Sequence, residues 1–207
     1  GSVGTAIVTP SNLTLAKTQT TAATVNTGAT ITYQIGLGNS GGVTSGTSFT
    51  VKDQLPSGVI ATAVTVGTGV SAVSCTDASS HTLPTASTAG ALLTCTGTLS
   101  SGLAAGAANG TALFTITATA PSSAGSITNY ASVDPTGGNA PATPGSGCTG
   151  TSCGSVGTTI SGPPVIAITK TASSASITSL STGTFVIALT NTGVSSTTSN
   201  IAFVDTL

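Results

Sequence analysis

The feature that most constrains the fold of this sequence is an internal repeat. Residues 13–55 return in diverged form as residues 166–207. Each copy contains an alternating apolar run ending in Lys-Thr, then an aromatic-led strand, then Asn-x-Gly, then a strand that closes on Asp. Such a repeat indicates that one supersecondary arrangement is built twice. The matched positions are Leu13, Leu15, Lys17, Tyr33, Ile35, Leu37, Asn39, Gly41, Phe49, Val51 and Asp53, against Ile166, Ile168, Lys170, Phe185, Ile187, Leu189, Asn191, Gly193, Ile201, Phe203 and Asp205.

Charge is nearly absent, and the little that exists is repeated. Of 207 residues, three are Lys or Arg and four are Asp or Glu. Lys17 and Lys170 occupy matching positions, as do Asp53 and Asp205, which indicates a role for the Lys and Asp as a pair. The net charge of −1 argues against nucleic acid and anionic membranes as partners, because both require clustered Lys and Arg. No apolar run is long enough for a membrane-spanning helix, so we expect no membrane insertion.

The hydrophobic pattern predicts strands rather than helices. Apolar and β-branched residues alternate with period two, and Gly, Pro, Asn and Ser mark the turns. Short, regularly spaced strands are typical of an all-β antiparallel sandwich. Residues 1–10 (GSVGTAIVTP) match residues 154–163 (GSVGTTISGP), and we interpret both as linker. The predicted organisation is a linker at 1–11, a sandwich at 12–135, a Pro/Gly/Ser-rich linker at 136–163 and the N-terminal part of a second sandwich at 164–207.

The second copy is truncated relative to the first. A sandwich fragment of that length leaves strand edges unpaired and is not stable alone. We therefore expect either that the parent chain continues beyond Leu207 or that strands from another subunit complete the fragment.

The four cysteines predict two disulfides and an oxidising compartment. Cys75 and Cys95 follow runs that look like neighbouring strands, so we pair them with each other. Cys148 and Cys153 lie close together, and a local disulfide there would stiffen the predicted linker. The alternative is a structural zinc site, but the spacing fits none of the usual ligand patterns. We therefore predict no metal site and no cofactor.

Strand parity directs three polar side chains into the core. Residues two positions apart share a face of a strand, and Lys17, Asp53 and Asn129 each share a face with apolar residues. Lys52, one position out of register, points to solvent. The apolar residues concerned are Leu13 and Leu15, then Phe49 and Val51, then Ile127, Ala131 and Val133.

This cluster has the chemistry for a covalent crosslink. Burial lowers the pKa of a Lys and raises that of an Asp, which leaves an amine nucleophile and an acid able to polarise an amide. Our hypothesis is that Lys17 attacks the Asn129 carboxamide, with Asp53 protonated, and that ammonia is released as an internal isopeptide bond forms. The alternative is a buried Lys17–Asp53 ion pair with Asn129 hydrogen-bonded alongside. Lys170 and Asp205 are the second-copy equivalents.

Other candidate sites are weaker. His81 stands alone in a polar loop, with no Cys, Ser or Asp at a catalytic spacing, so we interpret it as a surface residue and predict no enzyme activity. Alternating threonines, such as Thr30 with Thr32 and Thr115 with Thr117, are found in ice-binding arrays. They are equally typical of any exposed strand face.

Several motifs, in this order, resemble a known family. They include Gly-Ala-Thr-Ile-Thr-Tyr-Gln-Ile (28–35), Asp-Gln-Leu-Pro-Ser-Gly (53–58), Ala-Pro-x-x-Ala-Gly (120–125) and Ile-Thr-Asn-x-Ala (127–131). The sequence resembles the conserved-repeat domain of large prokaryotic surface proteins, family eleven among the domains of unknown function. The resemblance implies immunoglobulin-like sandwiches strung in tandem along secreted or cell-surface proteins. The Lys, Asp and late-strand Asn are also similar to those of isopeptide-forming sandwich domains of bacterial adhesins.

The sequence as a whole predicts a structural protein. We expect tandem modules of an extracellular or cell-surface filament, stalk or sheath, whose partners are other copies of the chain or neighbouring repeats. Near-absent charge lets copies pack without repulsion. The main alternative is a large cell-surface adhesin in which these sandwiches are spacers.

Overall fold

The described part of the chain is built from strands. The structure is a computed structural model that describes residues 7–138, 140–197 and 199–206, and no helix able to span a membrane occurs in these ranges. The strands are β1 Leu13–Gln19, β2 Thr24–Asn26, β3 Thr30–Asn39, β4 Ser48–Gln54, β5 Ile60–Val66, β6 Val70–Asp77, β7 Leu92–Leu99, β8 Ala107–Thr119, β9 Gly125–Val133, β10 Cys153–Ser161, β11 Ile166–Ala172 and β12 Phe185–Asn191.

The chain divides into two units, unit 1 Gly1–Ile160 and unit 2 Ser161–Leu207. In unit 1 the strands form two sheets. Sheet A has the strand order β1-β3-β8-β5, and sheet B has the order β2-β10-β9-β4-β7-β6. The strand pairs of sheet A are antiparallel, as are the pairs from β10 to β6 in sheet B.

The apolar faces of sheets A and B pack on each other, as the period-two pattern predicts. Tyr33 and Phe114 from sheet A and Phe49 from sheet B are among the largest fully buried side chains. The rings of Phe49 and Phe114 stack with their centroids 5.7 Å apart, which gives the core a contact between the two sheets. The predicted all-β, immunoglobulin-like antiparallel sandwich is confirmed.

One predicted boundary is wrong. Residues 153–161 fall within the predicted linker 136–163, yet they form β10, which pairs with β9 in sheet B. Thr158 and Ile160 are buried, so this Gly- and Ser-rich stretch does alternate like a strand, with small residues on its outer face. Of the predicted linker 1–11, residues 1–6 lie outside the described residues, and residues 7–10 have no regular secondary structure.

The repeated Asn-x-Gly motif braces the start of the sandwich. Asn39 is fully buried, and its side-chain oxygen accepts hydrogen bonds from the backbone amides of Asn12 and Gly41. Its side-chain nitrogen donates to the backbone carbonyls of Leu103 and Ala104 in the loop before β8. This single side chain therefore satisfies backbone groups from three separate segments, which explains the motif as a structural feature.

Both predicted disulfides are formed. Cys75 and Cys95 oppose each other directly on the neighbouring strands β6 and β7. Cys148 and Cys153 close a short loop that leads into β10, so this bond holds part of the sandwich rather than a linker. The described chain has no free cysteine, and the zinc alternative is therefore wrong.

We expect the Cys75–Cys95 disulfide to contribute substantially to stability. Replacing both residues by Ser should lower the free energy of unfolding by about 3 kcal/mol, the loop-closure value for a loop of about 20 residues. Urea unfolding of the variant and the parent protein measures the difference. The Cys148–Cys153 disulfide closes a shorter loop. A matched variant with Cys148→Ser and Cys153→Ser should therefore lose less free energy of unfolding. An equal or larger loss in that control would contradict the loop-closure explanation.

Unit 2 repeats the beginning of unit 1 at the level of hydrogen bonds. Strands β11 and β12 pair antiparallel in the register that joins β1 to β3. Asn191 accepts hydrogen bonds from the backbone amides of Val165 and Gly193 and donates to the Ser195 carbonyl. The hydrogen bonds of Asn39 with the backbone of Asn12, Gly41 and Val43 are therefore built again, although the described residues of unit 2 add no strands beyond β11 and β12.

Candidate functional site

Three strands bring one lysine, one aspartate and one asparagine into the core of unit 1. Lys17 lies on β1 of sheet A, whereas Asp53 lies on β4 and Asn129 on β9 of sheet B. Strand β1 packs against β9 across the core. Asp53 pairs with Ala131, so Asn129, two positions away on β9, is the diagonal neighbour of Asp53 on the same face.

The polar atoms of this cluster are excluded from solvent and incompletely satisfied. Lys17 Nζ donates a hydrogen bond to Asp53 Oδ2 and forms an ion pair with it, and both side chains are 0% exposed. Asn129 is also 0% exposed. Among the described residues, Asp53 Oδ1 and both polar atoms of the Asn129 carboxamide have no hydrogen-bond partner. The hydrogen bond to Asn129 that the ion-pair alternative requires is therefore missing.

The surroundings make the Lys17 ammonium group easier to deprotonate. Burial lowers the pKa of Lys17, because the ammonium form loses its hydration, and attraction to Asp53 opposes that effect only in part. An uncharged amine carries a free lone pair and is a nucleophile. The cluster thus contains an amine that becomes a nucleophile when it loses its proton, a carboxyl group that can hold the proton, and a carboxamide carbon as the electrophile.

Two residues that sequence reasoning did not assign to the site help to enclose it. Tyr33 on β3 is fully buried, with its ring centroid 4.9 Å from Lys17 Nζ, and burial raises the pKa of Tyr33 to about 12. A Cβ at Gly154 on β10 would lie 2.8 Å from the Leu15 side chain and 3.1 Å from the Lys17 backbone nitrogen. Glycine at this position therefore lets β10 pass closely over β1.

The sequence contains a signal that places Tyr33 at the site, namely its position in the repeat. It contains no such signal for Gly154. Tyr33 alternates with the apolar residues of β3 and matches an aromatic residue, Phe185, in the second copy. Gly154 belongs to a segment whose composition is that of a linker, so its contact with Lys17 follows only from the three-dimensional pairing of β10 with β9.

The second-copy residues form the same pair in a more open setting. Lys170 Nζ donates a hydrogen bond to Asp205 Oδ1 at 2.6 Å, and both side chains are 33% exposed. The ring of Phe185 lies 4.6 Å from Lys170 Nζ, in the position that Tyr33 occupies near Lys17.

The remaining aspartates of unit 1 hold loops together. Asp77 accepts hydrogen bonds from the backbone amides of Ser79, His81 and Thr88, and Asp77 Oδ2 lies 2.9 Å from His81 Nδ1. His81 is half-exposed, in agreement with a surface position, but it also contacts this aspartate. Asp134 accepts hydrogen bonds from Thr136 through both the backbone amide and the hydroxyl group.

These two aspartates predict acid sensitivity. The amide of Thr88 and further donors hold the pKa of Asp77 well below its usual range. Burial alone would raise the pKa of Asp134, but hydrogen bonds from Thr136 and Ala140 outweigh it and lower the value. Both groups have depressed pKa values in the folded state, so their stabilising contribution is full above the unfolded pKa of about 3.9 and is lost as the pH falls below it.

We therefore expect the urea midpoint to change little down to about pH 4 and to decrease as the pH is lowered further. Asp77→Asn and Asp134→Asn variants should each show a weaker pH dependence than the parent protein. A midpoint that is constant down to the lowest pH tested would contradict this explanation.

The comparisons with known proteins leave the family open. No protein-family model matches the sequence, and no curated protein matches it. Membership of the conserved-repeat family therefore stays a prediction. Within the described ranges, no group of three or more His, Cys, Asp or Glu residues could hold a metal ion.

Solved structures of similar shape exist at low sequence identity. A cohesin module of a Clostridium perfringens family 33 glycoside hydrolase is 13% identical with a TM-score of 0.47, over 72% of this chain and 98% of the module. The CARDB domain of a Pyrococcus furiosus protein is 12% identical with a TM-score of 0.37, over 75% and 97%. The group B streptococcus pilus 2b backbone protein is 18% identical with a TM-score of 0.33, over 70% and 56%. At these values the likenesses carry no argument about function.

Proposed function

We propose that this chain is a structural module of an extracellular or cell-surface protein, and that an isopeptide bond between Lys17 and Asn129 braces its sandwich. The observation that carries the proposal is the buried cluster. An amine, a carboxyl group and a carboxamide lie in one solvent-excluded region, and three of their polar atoms have no hydrogen-bond partner among the described residues.

The bond would form in one balanced step. Lys17 passes a proton to Asp53, and the neutral amine attacks Asn129 Cγ while the Asp53 carboxylic acid polarises the amide oxygen. A bond from Lys17 Nζ to Asn129 Cγ forms, one proton moves from the lysine nitrogen to Asn129 Nδ2, the Asn129 Cγ–Nδ2 bond breaks, and ammonia leaves. The step happens once in each molecule, so the protein is not an enzyme in the sense of turnover.

The energetics of the uncrosslinked cluster favour this step. Each buried polar atom without a partner costs about 1–3 kcal/mol, and a desolvated ion pair is at best weakly stabilising. A new amide would remove Asn129 Nδ2 and the lysine charge, and it would place an N–H and a carbonyl oxygen next to Asp53. Bond formation therefore resolves the unsatisfied groups that the ion-pair alternative leaves in place.

The positions of the crosslinks suit a load-bearing module. The proposed bond ties β1 of sheet A to β9 of sheet B, so it joins the two sheets near opposite ends of the sandwich sequence. The Cys75–Cys95 disulfide ties β6 to β7, and disulfides persist in oxidising compartments outside the cytoplasm. Both features support an extracellular location and a mechanical role.

Intact-mass measurement tests the bond directly. After correction for both disulfides, we expect the protein to be about 17 Da lighter than its sequence, because one ammonia is lost for each amide formed. Peptide mapping should then find residues 17 and 129 in one linked pair of peptides. A Lys17→Arg variant is the matched control and, after the same disulfide correction, should have the mass of its own sequence. An unshifted parent mass would eliminate the crosslink and leave the ion pair.

We further propose that copies of the module assemble into a filament, stalk or sheath. On the outer face of sheet A, Thr30 lies opposite Thr119 and Thr32 opposite Thr117, and ionisable side chains such as Lys17 and Asp53 are buried. Such a surface packs against other copies without charge repulsion. Negative-stain microscopy should show regular filaments. Beaded single chains would instead support the alternative function, the spacer region of an adhesin.

A further inference from the structure

Unit 2 contains a half-built copy of the crosslinking site. Strand β11 places Lys170 opposite Ile187 on β12, as β1 places Lys17 opposite Ile35 on β3. Lys170 donates to Asp205 and lies against the ring of Phe185. The amine, the carboxyl group and the aromatic ring of the first site are therefore all present, whereas an equivalent of Asn129 is absent from the described residues of unit 2.

The face that carries Lys170 is also uncovered. Ile168 is 52% exposed and Leu189 is 40% exposed, whereas their counterparts in unit 1, Leu15 and Leu37, are buried beneath sheet B. Contiguous exposed apolar side chains mark a surface that a partner covers. Removing such side chains from water is favourable.

The backbone of β11 and β12 already has the arrangement that β1 and β3 have in unit 1. Asn191 reproduces the hydrogen bonds that Asn39 makes with the backbone of Asn12, Gly41 and Val43. The β11–β12 register repeats that of β1 and β3. The part of the repeat that unit 2 does not contain corresponds to residues 56–161 of unit 1. That part supplies β5 to β10, including β9 with its Asn.

We infer that Lys170 is a second crosslinking position, and that its partner is the Asn of a β9-type strand supplied by a further segment with the sequence character of residues 56–161. The inference rests on the proposed function of the first site. A bond forms from Lys170 Nζ to the side-chain carbonyl carbon of that Asn, its carbon–nitrogen bond breaks, and ammonia leaves. Asp205 accepts the lysine proton, as Asp53 does in unit 1.

The experiment extends the full chain so that unit 2 is complete. A second copy of residues 56–161 is joined directly after Leu207, and the intact mass is measured after correction for disulfides. We expect a loss of about 34 Da, or one ammonia for each of two bonds. In the extended chain, Lys170→Arg should reduce the loss to about 17 Da and leave only the peptides of residues 17 and 129 linked. Lys17→Arg should also reduce the loss to about 17 Da and leave only the peptide pair that contains Lys170.

The outcomes separate this inference from the proposed function. No mass loss at all would overturn both. A loss of about 17 Da, with only the peptides of residues 17 and 129 linked, would overturn the inference alone. Protection of the added cysteines from alkylation reports whether the completed unit has folded. If the extended unit does not fold, a second version carries Ile201→Phe and Phe203→Val, which gives it the residues that unit 1 has at Phe49 and Val51. A loss of about 17 Da in that version, once folded, also overturns the inference.

Discussion

Asn129→Ala should lower the free energy of unfolding by about 4–5 kcal/mol, the loop-closure value for a link that spans on the order of 100 residues. For a domain of this size, the melting temperature should fall by roughly 8–20 °C, at about 2–4 °C per kcal/mol. The intact mass of the variant should equal the sequence value once the disulfides are counted. The reason is that Ala offers no carboxamide to Lys17.

The ion-pair alternative predicts a different result for the same variant. Without a crosslink, the Asn129 carboxamide is a buried polar group that has no hydrogen-bond partner among the described residues. Replacing such a group with an apolar one removes a desolvation cost and is nearly neutral. Thr128→Ala, at an exposed position of the same strand, is the matched control and should change stability by less than about 0.5 kcal/mol. An Asn129→Ala variant as stable as this control would rule out the crosslink.

Asp53→Ala should be destabilising by at least about 3–5 kcal/mol, since it leaves the Lys17 amine buried without its counter-charge. The same change should block bond formation, because no other carboxyl group in the cluster can take the lysine proton. Intact mass and urea unfolding of one sample measure both effects. We expect the variant to show no mass shift and a lower free energy of unfolding than the parent protein.

Lys52→Ala provides the matched control for Asp53→Ala. Lys52 is the neighbouring residue on β4, and its side chain is on the opposite face of the strand and partly exposed. The control should keep the mass shift of about 17 Da and lose little stability. If Asp53→Ala kept the mass shift, Asp53 would have no part in the reaction, and the bond would need another proton acceptor.

Much of this architecture could be predicted from the sequence because the relevant signals are local. Period-two alternation specifies which side of a strand is buried, and it placed Lys17, Asp53 and Asn129 inside the sandwich, where the structure finds them. The Cys75–Cys95 pairing followed from two short runs that were recognisable as strands. The internal repeat predicts the Lys170–Asp205 pair, which the structure contains as an ion pair.

The parts that could not be predicted depend on pairing between distant segments. Residues 153–161 have the Gly and Ser content of a linker, and only antiparallel pairing with β9 makes them a strand. The close approach of Gly154 to Lys17 follows from that pairing. The unsatisfied atoms of Asn129 likewise depend on the positions of neighbours far away in the chain, which no local pattern encodes.

The place of β10 at the end of the sandwich sequence sets a time order for the proposed bond. Until residues 125–161 have been synthesised, the chain has neither Asn129 on β9 nor the Gly154 segment of β10 that packs on the Lys17 backbone. A partly made or still extended polypeptide keeps its lysine hydrated, charged and unreactive. Under the proposed function, such a chain stays a flexible thread and becomes locked only after the whole sandwich has folded.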